Sequence, residues 1–175
     1  MSTDDGPCAV EPAELGEVDT CFRCGDVYLA TAPDESAFEL AARRGFALVL
    51  DLRSESAVRE ASMARDVRRL GLDYVRVAIE PSALDDAAID EVLRMIEAAN
   101  GPVLLFCDQG TRCATVFAVY RAVVQGVDLE TALEDGRFVG MKPGTEEAVR
   151  AQVTRLRKDT ASSASATSAS ATSSI

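Results

Sequence analysis

The chain contains no histidine and no tryptophan. Without imidazole there is no Ser–His or Cys–His pair, no His-ligated metal and no imidazole proton shuttle. Any chemistry must therefore run on Cys, Asp, Glu, Arg, Ser, Thr or backbone amides. Positive charge is also scarce: 18 Lys and Arg stand against 29 Asp and Glu, a formal net charge of −11. A general nucleic-acid binder needs the opposite balance to neutralise phosphates, and adhesion to an anionic membrane is disfavoured for the same reason. The basic residues Arg43, Arg44, Arg65, Arg68 and Arg69 fall in segments that also carry acids, as a solvated helix face does. Long apolar runs are missing too. The longest, Cys113 to Val124, is too short to span a bilayer and contains Arg121. The acidic start, Met1 to Asp5, is followed by no apolar stretch of the kind a secretory signal has. Five cysteines, at positions 8, 21, 24, 107 and 113, are an odd number without the spacing of a disulfide framework, which fits a reducing compartment. Together these features predict a cytoplasmic protein with neither a nucleic-acid nor a membrane partner; oligomeric state is not legible.

What the sequence does hold is material for one domain: 175 residues, 47% of them hydrophobic. Residues 1–24 are rich in Asp, Glu, Pro and Gly and read as a loose acidic arm. Residues 159–175 are almost purely Ser, Ala and Thr, and are expected to be a disordered tail because they offer little apolar surface to offset ordering entropy. Between them, residues 25–158 alternate short apolar runs with amphipathic ones. Residues 26–30, 46–51, 74–79 and 103–106 read as strands, the second and fourth apolar enough to be covered on both faces. Helices are predicted over 33–44, 56–70, 85–99, 112–125 and 145–158, with a short one capped by Asp128. In the 85–99 segment Ile89, Val92, Leu93 and Ile96 fall on one face. The 112–125 helix is apolar nearly all round and belongs at the centre. Strands alternating with helices predict an α/β fold: a single domain with about four mainly parallel strands flanked by helices.

In such a sheet, ligands bind where strands end and helices begin. The most apolar strand ends in Cys107-Asp108-Gln109-Gly110-Thr111-Arg112-Cys113 and runs straight into the most buried helix. Backbone amides at a helix N-terminus converge on one point and favour negative charge. Gly110 permits a tight curl, Arg112 offers a planar fork suited to a tetraoxoanion, and Cys107 sits where that field favours the nucleophilic thiolate. The alternative for Cys107 taken alone is a small buried core residue. Residues 108–113 are the candidate anion-binding loop, with Cys107 and Arg112 as candidate catalytic groups.

The stretch from Gly101 to Arg112 resembles the active loop of the beta-lactamase-hydrolase-like phosphatase domains, small relatives of the dual-specificity tyrosine phosphatases. The resemblance covers about residues 25–135. It includes Gly25-Asp26-Val27-Tyr28, Leu50-Asp51-Leu52-Arg53 and Gly71-Leu72-Asp73-Tyr74-Val75. It implies a phosphatase-like α/β domain and a hydrolase in which Cys107 takes up the phosphoryl group as a phosphocysteine. Arg112 would then clamp the transition state, with the amides of residues 108–112 holding the oxygens. Four residues separate Cys107 from Arg112, where tyrosine-class phosphatases have five and rhodaneses four. Phe106 replaces the usual His, Cys113 the usual Ser or Thr, and Asp108 brings a carboxylate to an anion site. A rhodanese-like persulfide on Cys107, fed by a sulfur donor, therefore stays open beside phosphoester hydrolysis of a phosphorylated substrate. So does a non-catalytic phosphate-binding module.

A phosphatase needs an acid for the leaving oxygen. Asp85 and Asp86, between Glu80-Pro81 and a helix, are the candidates, with helix capping as their alternative role. Asp51 and Arg53 end a central strand, where Arg53 is expected in a structural ion pair. Cys113 is a candidate redox partner of Cys107, or a buried thiol filling a serine-sized space. Cys21-x-x-Cys24 lacks the further ligands zinc requires. No metal and no cofactor are expected.

Overall fold

The computed structural model describes residues 7–54 and 57–169. Its elements follow one another as β1 (Glu11–Pro12), β2 (Cys21–Cys24), β3 (Val27–Thr31), α1 (Glu35–Arg43), β4 (Leu48–Asp51), α2 (Ala57–Arg69), β5 (Asp73–Arg76), α3 (Asp86–Ala98), β6 (Val103–Cys107), α4 (Thr111–Val123), α5 (Leu129–Phe138), a single 3-10 turn (Pro143–Thr145) and α6 (Glu146–Ala169). The sheet has the order β1-β2-β3-β6-β4-β5. Strands β3, β6, β4 and β5 are parallel neighbours, the four expected from the apolar runs. β1 and β2 add an antiparallel edge, so the sheet is mixed and six-stranded.

The pleat sorts the side chains of β6 into two cores. Val103, Leu105 and Cys107 face the layer of α3, α4, α5 and α6. Leu104 and Phe106 face α1 and α2. α3 buries the stripe Ile89, Val92, Leu93 and Ile96, as its spacing predicts. In α4 every residue from Cys113 to Ala122 is buried, which is why its sequence shows no polar face. Asp34, Asp85 and Asp128 each accept a backbone N–H three residues on and cap α1, α3 and α5.

The ends depart from expectation. The N-terminal arm is not loose from residue 7 onward: Leu15 is fully buried in the α1/α2 core, Ala13 N–H donates to the Cys21 carbonyl, and Arg44 reaches the Glu14 carbonyl at 2.7 Å. Its strands are short and half polar, hence their weak signal. Cys8 and Cys24 are joined in a disulfide, their Cα atoms 5.5 Å apart, while Cys21, Cys107 and Cys113 are free and buried. The cysteine content therefore gives no support to a reducing compartment, and Cys24 is not free to ligate a metal with Cys21. α6 continues to Ala169, so the described part of the expected disordered tail is helical. Alanine has the highest helix propensity, and an exposed extension of a docked helix needs no burial of its own. Residues 170–175 lie outside the described residues. Among the described residues no helix is long and apolar enough to cross a membrane.

Candidate active site

Cys107 is the last residue of β6, paired with Thr31 of β3, and its carbonyl accepts the Ala32 N–H at 2.9 Å. On the other side Phe106 O accepts from Leu52 N–H at 3.0 Å. The strand end is thus tied to both neighbours before the chain curls. Gly110 makes the curl with φ +80° and serves as the N-cap of α4. A Cβ at this position would stand 3.0 Å from Thr31 Cγ2, so the conformation demands glycine and the crowding adds to it.

The curl turns donors back onto the Cys107 sulfur. The Cys113 thiol, then the backbone N–H groups of Cys113, Gln109 and Gly110, hydrogen-bond to it. The Cys113 contact is the largest influence on the Cys107 thiol. With the amides it outweighs burial, which acts the other way, and brings the pKa down to about 6. Cys113 moves in the opposite direction: burial, then its bond to Cys107, hold it well above an ordinary thiol. At neutral pH the pair is one thiolate and one thiol. We expect the rate of Cys107 alkylation by iodoacetamide to rise with pH through a midpoint near 6. Cys113→Ala should move that midpoint upward by about one unit, read by peptide mass spectrometry.

Arg112 lies in the first turn of α4 and bridges the segments that follow β4 and β5. Its Nε donates to Ile79 O at 2.9 Å and its Nη2 to Ser54 Oγ at 3.2 Å. This holds the guanidinium beside the loop. Asp51 and Arg53 form the expected ion pair, a buried fork with Nε–Oδ1 2.8 Å and Nη2–Oδ2 2.7 Å. Burial pushes the Asp51 pKa up, but the bonds from Arg53 and from the Tyr74 hydroxyl (2.5 Å) bring it below the usual carboxylate range. Arg53 also lies 5.0 Å from the Phe106 ring centroid, and its Nη1 is 3.9 Å from Asp108 Oδ1. The exposed Asp108 carboxylate accordingly turns to the rim, where Arg53 offsets its charge.

The structure does not bring Asp85 and Asp86 into this group. The Asp85 carboxylate caps α3 through the Ala88 N–H at 2.8 Å, and Asp86 pairs with Arg155 of α6 at 3.0 Å. Their capping and pairing roles account for both. The residues missed in the sequence are Thr31, Ser54 and the Ile79 carbonyl; Glu80 follows directly on Ile79 in the chain. Glu80 is exposed, and its Oε1 accepts from Ser82 Oγ at 3.1 Å. Glu80 carried a signal, a carboxylate at the end of an apolar run on the ligand edge; contacts through backbone carbonyls carried none.

The family model for the phosphatase-like domain of beta-lactamase hydrolase-like proteins matches residues 22–124. The chain belongs to that family. The dual specificity protein phosphatase TpbA of Pseudomonas aeruginosa is 41% identical over an alignment of 87 positions that covers 46% of this chain and 39% of TpbA. The match thus spans well under half of that relative. A crystal structure of P. aeruginosa TpbA in complex with phosphotyrosine superposes with a TM-score of 0.66 at 20% identity, covering 89% of this chain and 99% of that one. Tk-PTP in its active form gives 0.60 at 19% identity over 81% and 95%. At these identities the structural neighbours show a common fold, and the family membership bears out the resemblance carried by the Cys107 loop.

Proposed function

We propose that this phosphatase-family domain is a cysteine-dependent phosphoester hydrolase. The observation that carries the reading is the Cys107 sulfur ringed by the amides of Gln109, Gly110 and Cys113 at the start of α4, with Arg112 beside it, a setting that favours the thiolate. A phosphate monoester dianion entering the curl takes up the loop amides and the Arg112 fork. Its phosphorus then stands in line with the sulfur. The sulfur forms the S–P bond as the ester P–O bond breaks, and the leaving oxygen takes a proton. Water next attacks phosphorus, the S–P bond breaks, and Cys107 returns as thiolate with inorganic phosphate released.

Glu80 is the carboxyl group we assign to the leaving oxygen, because it directly follows Ile79, whose carbonyl holds Arg112. Glu80→Gln should lower kcat on an alkyl phosphate by about 100- to 10,000-fold, while p-nitrophenyl phosphate, whose leaving group needs little protonation, loses far less. Asp85→Asn and Asp86→Asn should leave both rates within about twofold. Asp85→Ala should cost roughly 1 kcal/mol of stability through the lost cap. Equal losses from Glu80→Gln on both substrates would remove Glu80 from the acid role.

The four-residue spacing and the Cys113 thiol on the Cys107 sulfur favour one second reading, sulfur transfer. Brief incubation with thiosulfate followed by peptide mass decides between them. We expect Cys107 unmodified and aryl phosphate turned over. Gain of one sulfur, absent in Cys107→Ser, without phosphate release would replace the hydrolase by a persulfide carrier.

A further inference from the structure

At the end of the sheet away from Cys107, where β3 and β6 begin, a cleft of about 480 Å³ is lined by Cys8, Cys24, Gly25, Asp26, Tyr120 and Gln125, among others. That volume is in the range of small-ligand sites, and one wall of it is a disulfide. Two N–H donors are aimed at its sulfurs. Arg121 Nη1 stands 3.3 Å from Cys24 Sγ and 3.8 Å from Cys8 Sγ. Gln125 Nε2 stands 3.2 Å from Cys8 Sγ. Arg121 is only 4% exposed, is held through Nε by Asp135 Oδ2 at 2.7 Å, and also donates from Nη1 to the Gln125 side-chain oxygen. The guanidinium is therefore fixed in place.

We propose that the Cys8–Cys24 disulfide is an exchange site for low-molecular-weight thiols, with Cys8 the sulfur attacked and Cys24 the leaving thiolate. A disulfide sulfur is a weak acceptor, whereas a thiolate is a strong one. Donors packed on the pair therefore favour the bond-broken state more than the bonded one. The cation nearest Cys24 lowers the basicity of the departing sulfur, and a less basic thiolate leaves faster.

The direction of attack follows from access. Cys24 is 1% exposed and backed by Arg121. Cys8 is half-buried beside the cleft, and its neighbour Gly25 has no side chain where a Cβ would stand 3.8 Å from the sulfur. An incoming thiolate RS⁻ forms an S–S bond to Cys8 Sγ. The Cys8–Cys24 bond breaks, and its electron pair stays on Cys24 Sγ against the guanidinium. Attack of Cys24 back on Cys8 expels RS⁻ and restores the tether, so no external oxidant or reductant is consumed. Exchange unties the residues preceding β1 from the β2–β3 hairpin, and it holds whatever reaction Cys107 performs.

The test uses the full chain with its disulfide intact, glutathione as the probe near neutral pH, acid quench, alkylation and non-reducing peptide mapping. The expected result is glutathione on the Cys8 peptide and the alkyl label on Cys24. Arg121→Met should slow that addition roughly tenfold, and Arg121→Lys, which keeps the charge, should slow it less. The site of addition is read on the parent protein, so it decides the matter even where Arg121→Met fails to fold. Glutathione on Cys24, equal partition between the two, or undiminished exchange in a folded Arg121→Met protein overturns the proposal. So does a map in which Cys8 and Cys24 are never linked.

Discussion

Cys107→Ser should lose at least about 10⁴-fold in kcat on p-nitrophenyl phosphate, because removing a covalent nucleophile leaves only the binding and positioning groups. The serine hydroxyl is far less acidic than a thiol and would be protonated in a site that lowers the Cys107 thiol to about 6. The cradle itself should survive, since the amides of Gln109, Gly110 and Cys113 and the Arg112 fork do not depend on the sulfur for their placement. Gly110 keeps φ +80°, and Arg112 keeps its bond to Ile79 O. Binding of inorganic phosphate or vanadate, measured by calorimetry, should therefore change by less than about tenfold while turnover disappears. A Cys107→Ser protein that retained a tenth of parental activity would exclude the phosphocysteine route.

The second large effect is on stability. Asp51 is fully buried and accepts the Arg53 backbone N–H, both arms of its guanidinium and the Tyr74 hydroxyl. Asp51→Ala would take from a 5% exposed guanidinium its bidentate carboxylate and leave it the longer contact to the exposed Asp108. Removing one member of a buried pair costs about 3–5 kcal/mol. For a chain of this length the melting temperature should fall by on the order of 10 °C. Asp51→Asn, which keeps the acceptor for Tyr74, should fall less. The folded pKa of Asp51 is depressed. Its stabilisation is thus complete above the ordinary carboxylate pKa and lost as pH falls through the depressed value. The melting curves of parent and Asp51→Ala should accordingly converge only in strong acid. A neutral-pH difference under about 1 kcal/mol by urea titration would show that Arg53 finds another partner.

The four parallel strands were readable because strands covered on both faces leave continuous apolar runs, as in 46–51 and 103–106. The loop was readable because a nucleophile, a glycine and an arginine fall within six residues of each other. The arm was misread for the converse reason. β1 is the dipeptide Glu11–Pro12 and β2 is a short edge strand, so neither carries a hydrophobic pattern. The Cys8–Cys24 bond depends on where a hairpin folds back, which no spacing rule states. Asp85 and Asp86 were ambiguous on principle, since an aspartate opening a helix looks the same whether it caps or donates a proton. The 160–169 segment offers little apolar surface, yet alanine propensity and a docked preceding helix suffice to extend it.

The position of β6 has a consequence for synthesis. Among the described residues it is the last strand, yet it lies in the interior of the sheet, between β3 and β4. Until residue 107 has left the ribosome, β3 and β4 have no partner on their facing edges and the nascent chain carries two unpaired strand rims. Such rims are where intermolecular pairing begins. Closure then joins residues 27–31 to 103–107 in one step, a pairing of long sequence separation and slow to form. The insertion that completes the sheet also sets Cys107 in place, and the cradle forms when the loop and first turn of α4 follow it. Ribosome-stalled chains of increasing length should acquire vanadate binding only once residues 108–113 and the start of α4 are exposed beyond β6.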